Sequence, residues 1–145
     1  MVKRISRRPG SRDAPVYEAR TQGVLVRVAA NFSPEHSDPE QGEYFWVYTV
    51  EIENHGKETV QLVSRRWVIT DAQNREQVVT GAGVVGEQPE LKPGEAFRYS
   101  SGCPLKTPSG AMRGAYQMVT GEGGQFDAEI PEFSLHLPGA GRVVN

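Results

Sequence analysis

Hydrophobic and polar residues alternate along most of the chain from residue 16 onward, and segment 43–54 carries the clearest example. One parity of this segment holds aromatic or β-branched residues: Tyr44, Trp46, Tyr48, Val50 and Ile52. The opposite parity includes the polar residues Thr49, Glu51 and Glu53. Successive side chains of a β-strand point to opposite faces, and aromatic and β-branched residues favour strands. The segment therefore predicts a strand with one buried and one solvent-exposed face.

Shorter stretches with the same period predict further strands, separated by turns rich in glycine, proline, asparagine and aspartate. They lie at 17–32 (one interrupted strand or two short ones), 59–70, 76–80, 95–101, 111–119 and 125–137. In the last stretch the hydrophobic parity shifts across Pro131. Because proline cannot donate a hydrogen bond to a sheet, this shift predicts a β-bulge.

Segment 59–70 contains no glycine, so a helix is the competing interpretation. Its valine, isoleucine, threonine and tryptophan content favours a strand, with Val63, Trp67 and Ile69 on one side. Seven or eight short strands without a convincing helix predict an all-β fold, an antiparallel sandwich or barrel. Trp67 would suit the buried tryptophan of an immunoglobulin-type core. The framework cysteines of antibody domains are absent, so a fibronectin type III-like sandwich fits better.

Composition sets the domain organisation. The chain has 145 residues and a mass of 16.0 kDa, about one domain, and its 16 glycines and 10 prolines agree with frequent turns. The single cysteine excludes an internal disulfide and a cysteine-based zinc cluster. No apolar run reaches the roughly 18–20 residues of a transmembrane helix. We expect a flexible basic arm at 1–15, one sandwich domain at 16–138 and a short tail at 139–145.

The charge distribution is uneven. Of 16 basic residues, five precede the first acidic residue, so the rest of the chain carries 11 basic against 18 acidic residues. These five are Lys3, Arg4, Arg7, Arg8 and Arg12. An acidic domain repels phosphates, which argues against a specific nucleic-acid partner, although the arm could touch phosphates or acidic lipid transiently. No apolar segment of a secretory signal follows the arm, so a cytoplasmic location is expected.

The spacing Gly81-x-Gly83-x-x-Gly86 matches the dinucleotide fingerprint as text. That motif needs a helix directly after it, and Pro89 and Pro93 disfavour a helix here. Conventional dinucleotide binding is therefore disfavoured. Two interpretations stay open: the glycine amides form an anion-binding nest with arginines nearby, or the glycines allow positive φ angles in a tight loop.

Candidate metal ligands and nucleophiles are scattered. The three histidines, His36, His55 and His136, are far apart, and no calcium-loop spacing is present, so no metal ligand and no cofactor are predicted. A metal site assembled by folding remains an open alternative. Cys103 is expected to behave as a small buried hydrophobe. Since no acid–base pair or nucleophile elbow is evident, we predict no catalytic residue and a protein that is not an enzyme.

Residues 80–102, from Thr80-Gly-Ala-Gly through Lys-Pro-Gly-Glu to Ser-Ser-Gly102, resemble the ApaG family, also called CorD. Further matching stretches lie at 45–50, 65–71, 107–118 and 126–135, and the resemblance covers about residues 17–138. The resemblance implies a fibronectin type III-like sandwich with no established reaction. It also implies an association with cobalt resistance and magnesium efflux. Similar domains in eukaryotic F-box proteins look like protein-interaction modules.

We therefore expect a non-enzymatic binding module that acts as a protein-interaction adaptor, with an indirect link to cobalt and magnesium homeostasis. The predicted binding residues combine arginines, loop glycines and an aromatic residue: Arg65, Arg66, Gly81, Gly83, Gly86, Tyr99 and Arg113. Trp67 and Tyr116 are predicted to belong to the core. The alternative is a sensor of a small anion (pyrophosphate or a nucleotide) or of a divalent metal at the Gly81–Gly86 loop. The sequence decides neither the partner nor between monomer and homodimer.

Overall fold

Nine β-strands and two 3₁₀ turns make up the part of the chain that the computed structural model describes, residues 14–138. The strands are β1 (Tyr17–Thr21), β2 (Val24–Phe32), β3 (Tyr44–Asn54), β4 (Val60–Asp71), β5 (Glu76–Ala82), β6 (Glu90–Leu91), β7 (Ala96–Leu105), β8 (Gly110–Thr120) and β9 (Gln125–Leu135). The 3₁₀ turns are Pro34–His36 and Pro39–Gln41. Most of the predicted basic arm and all of the predicted tail lie outside the described residues. The strand beyond the predicted seven or eight is β6, which has only two residues.

The strands form two antiparallel sheets, which confirms the predicted fibronectin-like sandwich. One sheet has the order β1-β2-β3-β7 and the other has the order β5-β4-β8-β9, with β6 paired to β4. On one side of the sandwich β1 and β2 lie against β9. There the Thr21 hydroxyl oxygen accepts a hydrogen bond of 3.1 Å from the Glu129 amide. Strands β5 and β7 are therefore the edges on the other side.

The core consists of side chains from the facing sides of the two sheets. Trp67 and Tyr116 are buried as predicted, with exposed fractions of 3% and 0%. The Trp67 ring contacts Tyr48 from the other sheet at 5.3 Å between centroids and Phe133 at 5.9 Å. Edge-to-face pairs of this kind add to the free energy gained by burying large aromatic surfaces.

The outward side of β3 differs from its prediction. Glu51 and Glu53 were expected to be exposed, but they are 6% and 4% exposed. Arg27 on the neighbouring strand is responsible, since its Nη1 lies 2.6 Å from a Glu53 carboxylate oxygen and 3.7 Å from one of Glu51. His55 Nε2 lies 2.8 Å from the other Glu53 oxygen. Burying carboxylates requires such pairing, because an unpaired charge is costly in a low-dielectric environment.

Two β-bulges interrupt the second sheet. The predicted bulge at Pro131 is confirmed, since two residues of β9 separate the partners of Gly114 and Met112 where β8 has one between them. A second bulge, at Val63 in β4, was not predicted. It places Leu62 in the core at 1% exposure, so the expectation that Val63 shares a side with Trp67 is wrong. Before the bulge the even-numbered side chains of β4 face the core, and after it the odd-numbered ones do. Arg65 therefore points toward the interior.

Candidate interaction surface on strand β5 and the glycine-rich loop

The two adjacent arginines of β4 point to opposite faces of the sheet. Arg65 lies opposite Tyr116 and Gly81 on the inner side, and Arg66 lies opposite Ala115 on the exposed outer side. The sequence grouped them as one pair, but successive residues of a strand cannot share a face. The structure therefore brings Arg65 together with the glycine-rich loop (residues 81–86) and places Arg66 on the opposite face of the sheet.

Arg65 holds the start of the glycine-rich loop. Its Nη1 donates to the carbonyl oxygens of Ala82 at 3.1 Å and Gly83 at 2.7 Å. The guanidinium group lies against Gly81, where a Cβ would be 2.9 Å from the guanidinium carbon. A side chain at position 81 would therefore force the Arg65 guanidinium group to shift. This charge-assisted contact makes Arg65 a residue that positions the loop.

The middle of the loop is a tight two-residue turn. Val84 and Glu87 exchange backbone hydrogen bonds of 2.8 Å in both directions, and the residues between them, Val85 and Gly86, have φ angles of 42° and 81°. Positive φ at both central positions is the requirement of a type I′ turn. Gly83 also has positive φ, 62°, and a Cβ there would overlap the Glu87 carbonyl. These glycines serve loop geometry.

The bulge in β4 anchors this turn. The Val63 carbonyl accepts hydrogen bonds of 2.8 Å from the Gly83 amide and from the Gln88 side chain. Gln61 in turn donates to the Gln88 carbonyl at 3.1 Å. The loop is therefore attached to β4 on both sides of its tip.

Several loop amides already have acceptors inside the protein. The Gly83 amide donates to Val63, and the amides of Val84 and Glu87 donate across the turn. An anion nest needs successive amides that converge on an open site. The anion-sensor alternative stays a prediction, but these three amides are engaged elsewhere.

Two valines at the β5 edge are unusually exposed. Val78 in β5 is 50% exposed and Val85 at the tip of the turn is 54% exposed, the large apolar residues that stand out from the surface of residues 14–138. Val85 combines exposure with strain, because a β-branched residue at positive φ is a conformational outlier. Val78 and Val85 are separate exposed apolar positions, one within β5 and one at the tip of the turn that follows it, and each is a candidate contact point for a partner.

The outer face beside β5 is charged. Arg113 lies diagonally from Arg66 on the neighbouring strand β8, and both are exposed. The Arg113 Nη2 lies 3.5 Å from a carboxylate oxygen of Glu76 in β5. Arg66 and Arg113 thus belong together, on the sheet face that also carries Val78.

Tyr99 does not border this surface. It is 8% exposed and lies on the inner side of β7, where its hydroxyl is 2.5 Å from the Tyr116 hydroxyl. Burial raises the pKa of both Tyr99 and Tyr116. The two phenols therefore stay protonated near neutral pH and form a hydrogen bond between the sheets. Tyr99 is a core residue.

The candidate nucleophile and metal ligands also have structural surroundings. Cys103 is buried opposite Trp46, and burial raises its pKa to about 12, which disfavours the reactive thiolate. Each histidine ring forms a hydrogen bond with a nearby side chain: His36 with Ser33, His55 with Glu53 and His136 with Ser134. Within residues 14–138 no three histidine, cysteine, aspartate or glutamate side chains are grouped so that they could hold a metal ion. In the same range, no helix has the length and hydrophobicity needed to cross a membrane.

Val78 and Val85 were not among the predicted site residues. A valine followed by glycine between two short strands is a weak signal of a type I′ turn, which normally favours asparagine or glycine at the first central position. The exposure of Val78 depends on β5 being an edge strand, and period-2 alternation does not reveal which strands lie at edges.

Comparisons with known proteins agree on the family. Residues 34–120 match the model of the ApaG domain. Protein ApaG of Caulobacter vibrioides is 66% identical over 141 residues, which is 97% of this chain and 100% of that protein. Protein ApaG of Methylocella silvestris is 55% identical over 130 residues, 90% of this chain and 100% of that protein. A crystal structure of an ApaA protein from Bordetella pertussis superimposes with a TM-score of 0.78 at 50% identity, covering 79% of this chain and 94% of that one. The chain belongs to the ApaG domain family.

Proposed function

We propose that this protein is a non-enzymatic, cytoplasmic protein-binding module whose partner contacts the turn formed by residues 84–87. The observation that carries the proposal is Val85, a β-branched residue held at a φ of 42° with 54% of its surface exposed. Backbone strain of this kind costs on the order of 1–3 kcal/mol and persists at sites where the surroundings enforce it, often functional ones.

The turn has the properties of a preorganised anchor. Its backbone is closed by the Val84–Glu87 hydrogen bonds and attached to β4 through Val63. An apolar side chain on a rigid support binds with little loss of conformational freedom, so more of its burial is available for affinity. Val85 would therefore enter an apolar pocket of the partner.

The predicted binding residues take different roles in this proposal. Arg65 and the three glycines Gly81, Gly83 and Gly86 hold the turn in shape. Arg66 and Arg113 lie on the exposed face next to β5, where they would pair with acidic groups of a partner. Arginine is enriched at the centres of protein interfaces, which supports this division.

The link to cobalt and magnesium homeostasis that the family resemblance suggests would be indirect in this proposal. The bound protein, a transporter or a regulator of one, would carry the effect on the ions. A saturable 1:1 cobalt or pyrophosphate complex at the glycine-rich loop, detected by calorimetry, would favour the sensor alternative.

The test places a photo-crosslinking amino acid at position 85 of the full chain in cells of the source organism. The control carries it at Glu122, an exposed residue of the β8–β9 turn. We expect one protein to be captured from position 85 and not from position 122. The purified pair should then lose about tenfold or more in affinity on the change Val85→Asp. Equal capture from both positions, or unchanged affinity of the aspartate variant, would reject the proposal.

A further inference from the structure

We propose that β5 pairs antiparallel with β5 of a second copy of this chain, across a two-fold axis at Val78. The pairing would join two β5-β4-β8-β9 sheets into one continuous sheet. This inference goes beyond the proposed function, because it uses the backbone of β5 and leaves the turn at 84–87 outside the pairing; the two share only Arg66.

The hydrogen-bond pattern defines which groups of β5 face outward. At one end of β5 the Gly83 amide donates to the Val63 carbonyl of β4, and at the other end the Arg75 carbonyl accepts from the Asp71 amide of β4. The backbone amides and carbonyls of the odd-numbered residues therefore face β4. In an antiparallel ladder the amide and carbonyl of one residue point the same way and alternate along the strand. Glu76, Val78 and Thr80 therefore present their amides and carbonyls at the open edge.

Among residues 14–138, this edge lacks the usual protection against pairing. Lysine, proline, bulges and cover by another element are the common devices that block an edge strand. Strand β5 contains no lysine, arginine or proline and carries Val78 at 50% exposure. The other edges are guarded: β1 and β9 lie against each other, and β7 contains Arg98 and Pro104.

Geometry selects one register. In any two-fold pairing the outward residues of one strand must oppose outward residues of the other. Registers shifted toward the end of β5 would use the Ala82 carbonyl, which already accepts from Arg65 at 3.1 Å. Registers shifted toward its beginning would use Asn74, which has a φ of 64° in the preceding turn. The register centred on Val78 pairs Glu76 with Thr80 of the other copy and needs neither.

The side chains are complementary in this register. Val78 would face its own copy on the outer side, and each Val78 already has Val68 of β4 as its neighbour. The pairing would thus build a row of four valines across the axis. Glu76 would oppose Thr80, whose neighbour on β4 is the exposed Arg66. Each glutamate would lie near an arginine of the other copy, and no like charges would face each other.

Sedimentation of the full chain from micromolar to millimolar concentration tests the pairing. We expect the apparent mass to rise from 16.0 kDa toward twice that value. The variant Val78→Lys places two like charges at the axis and should weaken association by about tenfold or more. The matched control Gln125→Lys adds the same charge at an exposed position of β9, at the opposite edge of the same sheet, and it should associate like the unmodified protein.

A charge exchange tests the register. In the background Arg113→Gln, which removes the arginine that Glu76 contacts within its own copy, Arg66→Glu should weaken association because the new carboxylate would lie near Glu76 of the other copy, and adding Glu76→Arg should restore it. The proposal is overturned if the protein stays monomeric at all concentrations. It is equally overturned if Val78→Lys leaves a dimer intact, or if adding Glu76→Arg fails to recover the association.

Discussion

The guanidinium group of Arg65 lies against Gly81, so close that a Cβ at position 81 would be 2.9 Å from the guanidinium carbon. The contact joins neighbouring strands and sets the start of the loop, because the same guanidinium holds the carbonyls of Ala82 and Gly83. One arginine thereby couples a residue of β5 to the position of the turn beyond it.

Gly81→Ala should destabilise the protein by about 1–3 kcal/mol, since the added methyl group displaces Arg65 from its two carbonyl acceptors. In the background Arg65→Met, which lacks those hydrogen bonds, the same change should cost less. Chemical denaturation of the four proteins of this cycle measures the coupling. Strictly additive effects would show that the contact has no energetic role.

Val85→Asn should raise the free energy of unfolding by about 1 kcal/mol, because asparagine tolerates the left-handed region that strains valine. The same change should weaken binding of a partner that takes up the valine side chain. Val78→Asn is the control, since Val78 has no positive φ, and it should lower stability. A melting temperature that falls in the residue 85 variant would contradict the assignment of strain.

Stability should decline above about pH 9, because the buried Cys103 thiol has its pKa raised from 9.0 to about 12. Between these values the unfolded chain loses the thiol proton while the folded chain keeps it. Because of this one group, the free energy of unfolding therefore falls by about 1.4 kcal/mol for each pH unit in this interval. The stabilising contribution is complete below pH 9 and decreases as the pH rises.

Cys103→Ala should flatten this decline just above pH 9, and denaturant titrations at several pH values measure it. At higher pH the buried phenols Tyr48, Tyr99 and Tyr116 add losses of the same sign, because burial raises their pKa as well. An unchanged pH slope in the alanine variant would mean that the thiol does not contribute.

Arg27→Met should destabilise the protein by about 3–5 kcal/mol, since it removes the guanidinium that lies between the buried carboxylates of Glu51 and Glu53. Arg20→Met, at an exposed position of the neighbouring strand β1, should stay within about 0.5 kcal/mol of the unmodified protein. Equal effects of the two changes would show that the pairing of Arg27 with Glu51 and Glu53 contributes nothing to the free energy of unfolding.

The two β-bulges explain why some positions were predictable and others were not. Proline at residue 131 blocks a ladder hydrogen bond, so its effect on parity is visible in the sequence. Val63 is an ordinary strand residue, and its bulge accompanies tertiary contacts, since its carbonyl accepts hydrogen bonds from the Gly83 amide and the Gln88 side chain. Without that bulge in view, Val63 rather than Leu62 was assigned to the side of Trp67, whereas the faces of Arg65 and Arg66 follow from simple alternation with Trp67.

Neighbouring strands account for the remaining differences. Alternation identified β3 and its buried aromatic face, because that pattern depends on one strand alone. The burial of Glu51 and Glu53 depends on Arg27 from β2, and the exposure of Val78 depends on β5 being an edge strand in the sheet formed by the described residues. Such pairings come from the order of strands in the sheets, which alternation does not encode.

The anchoring of the turn at Val63 separates what the loop displays from what supports it. The hydrogen bonds that hold the turn come from the backbone of Gly83, Val84 and Glu87 and from the side chains of Gln88 and Arg65, and none uses the side chain of residue 85. Position 85 can therefore be substituted without removing any of these hydrogen bonds, so that the side chain displayed at the tip changes while the scaffold beneath it stays the same.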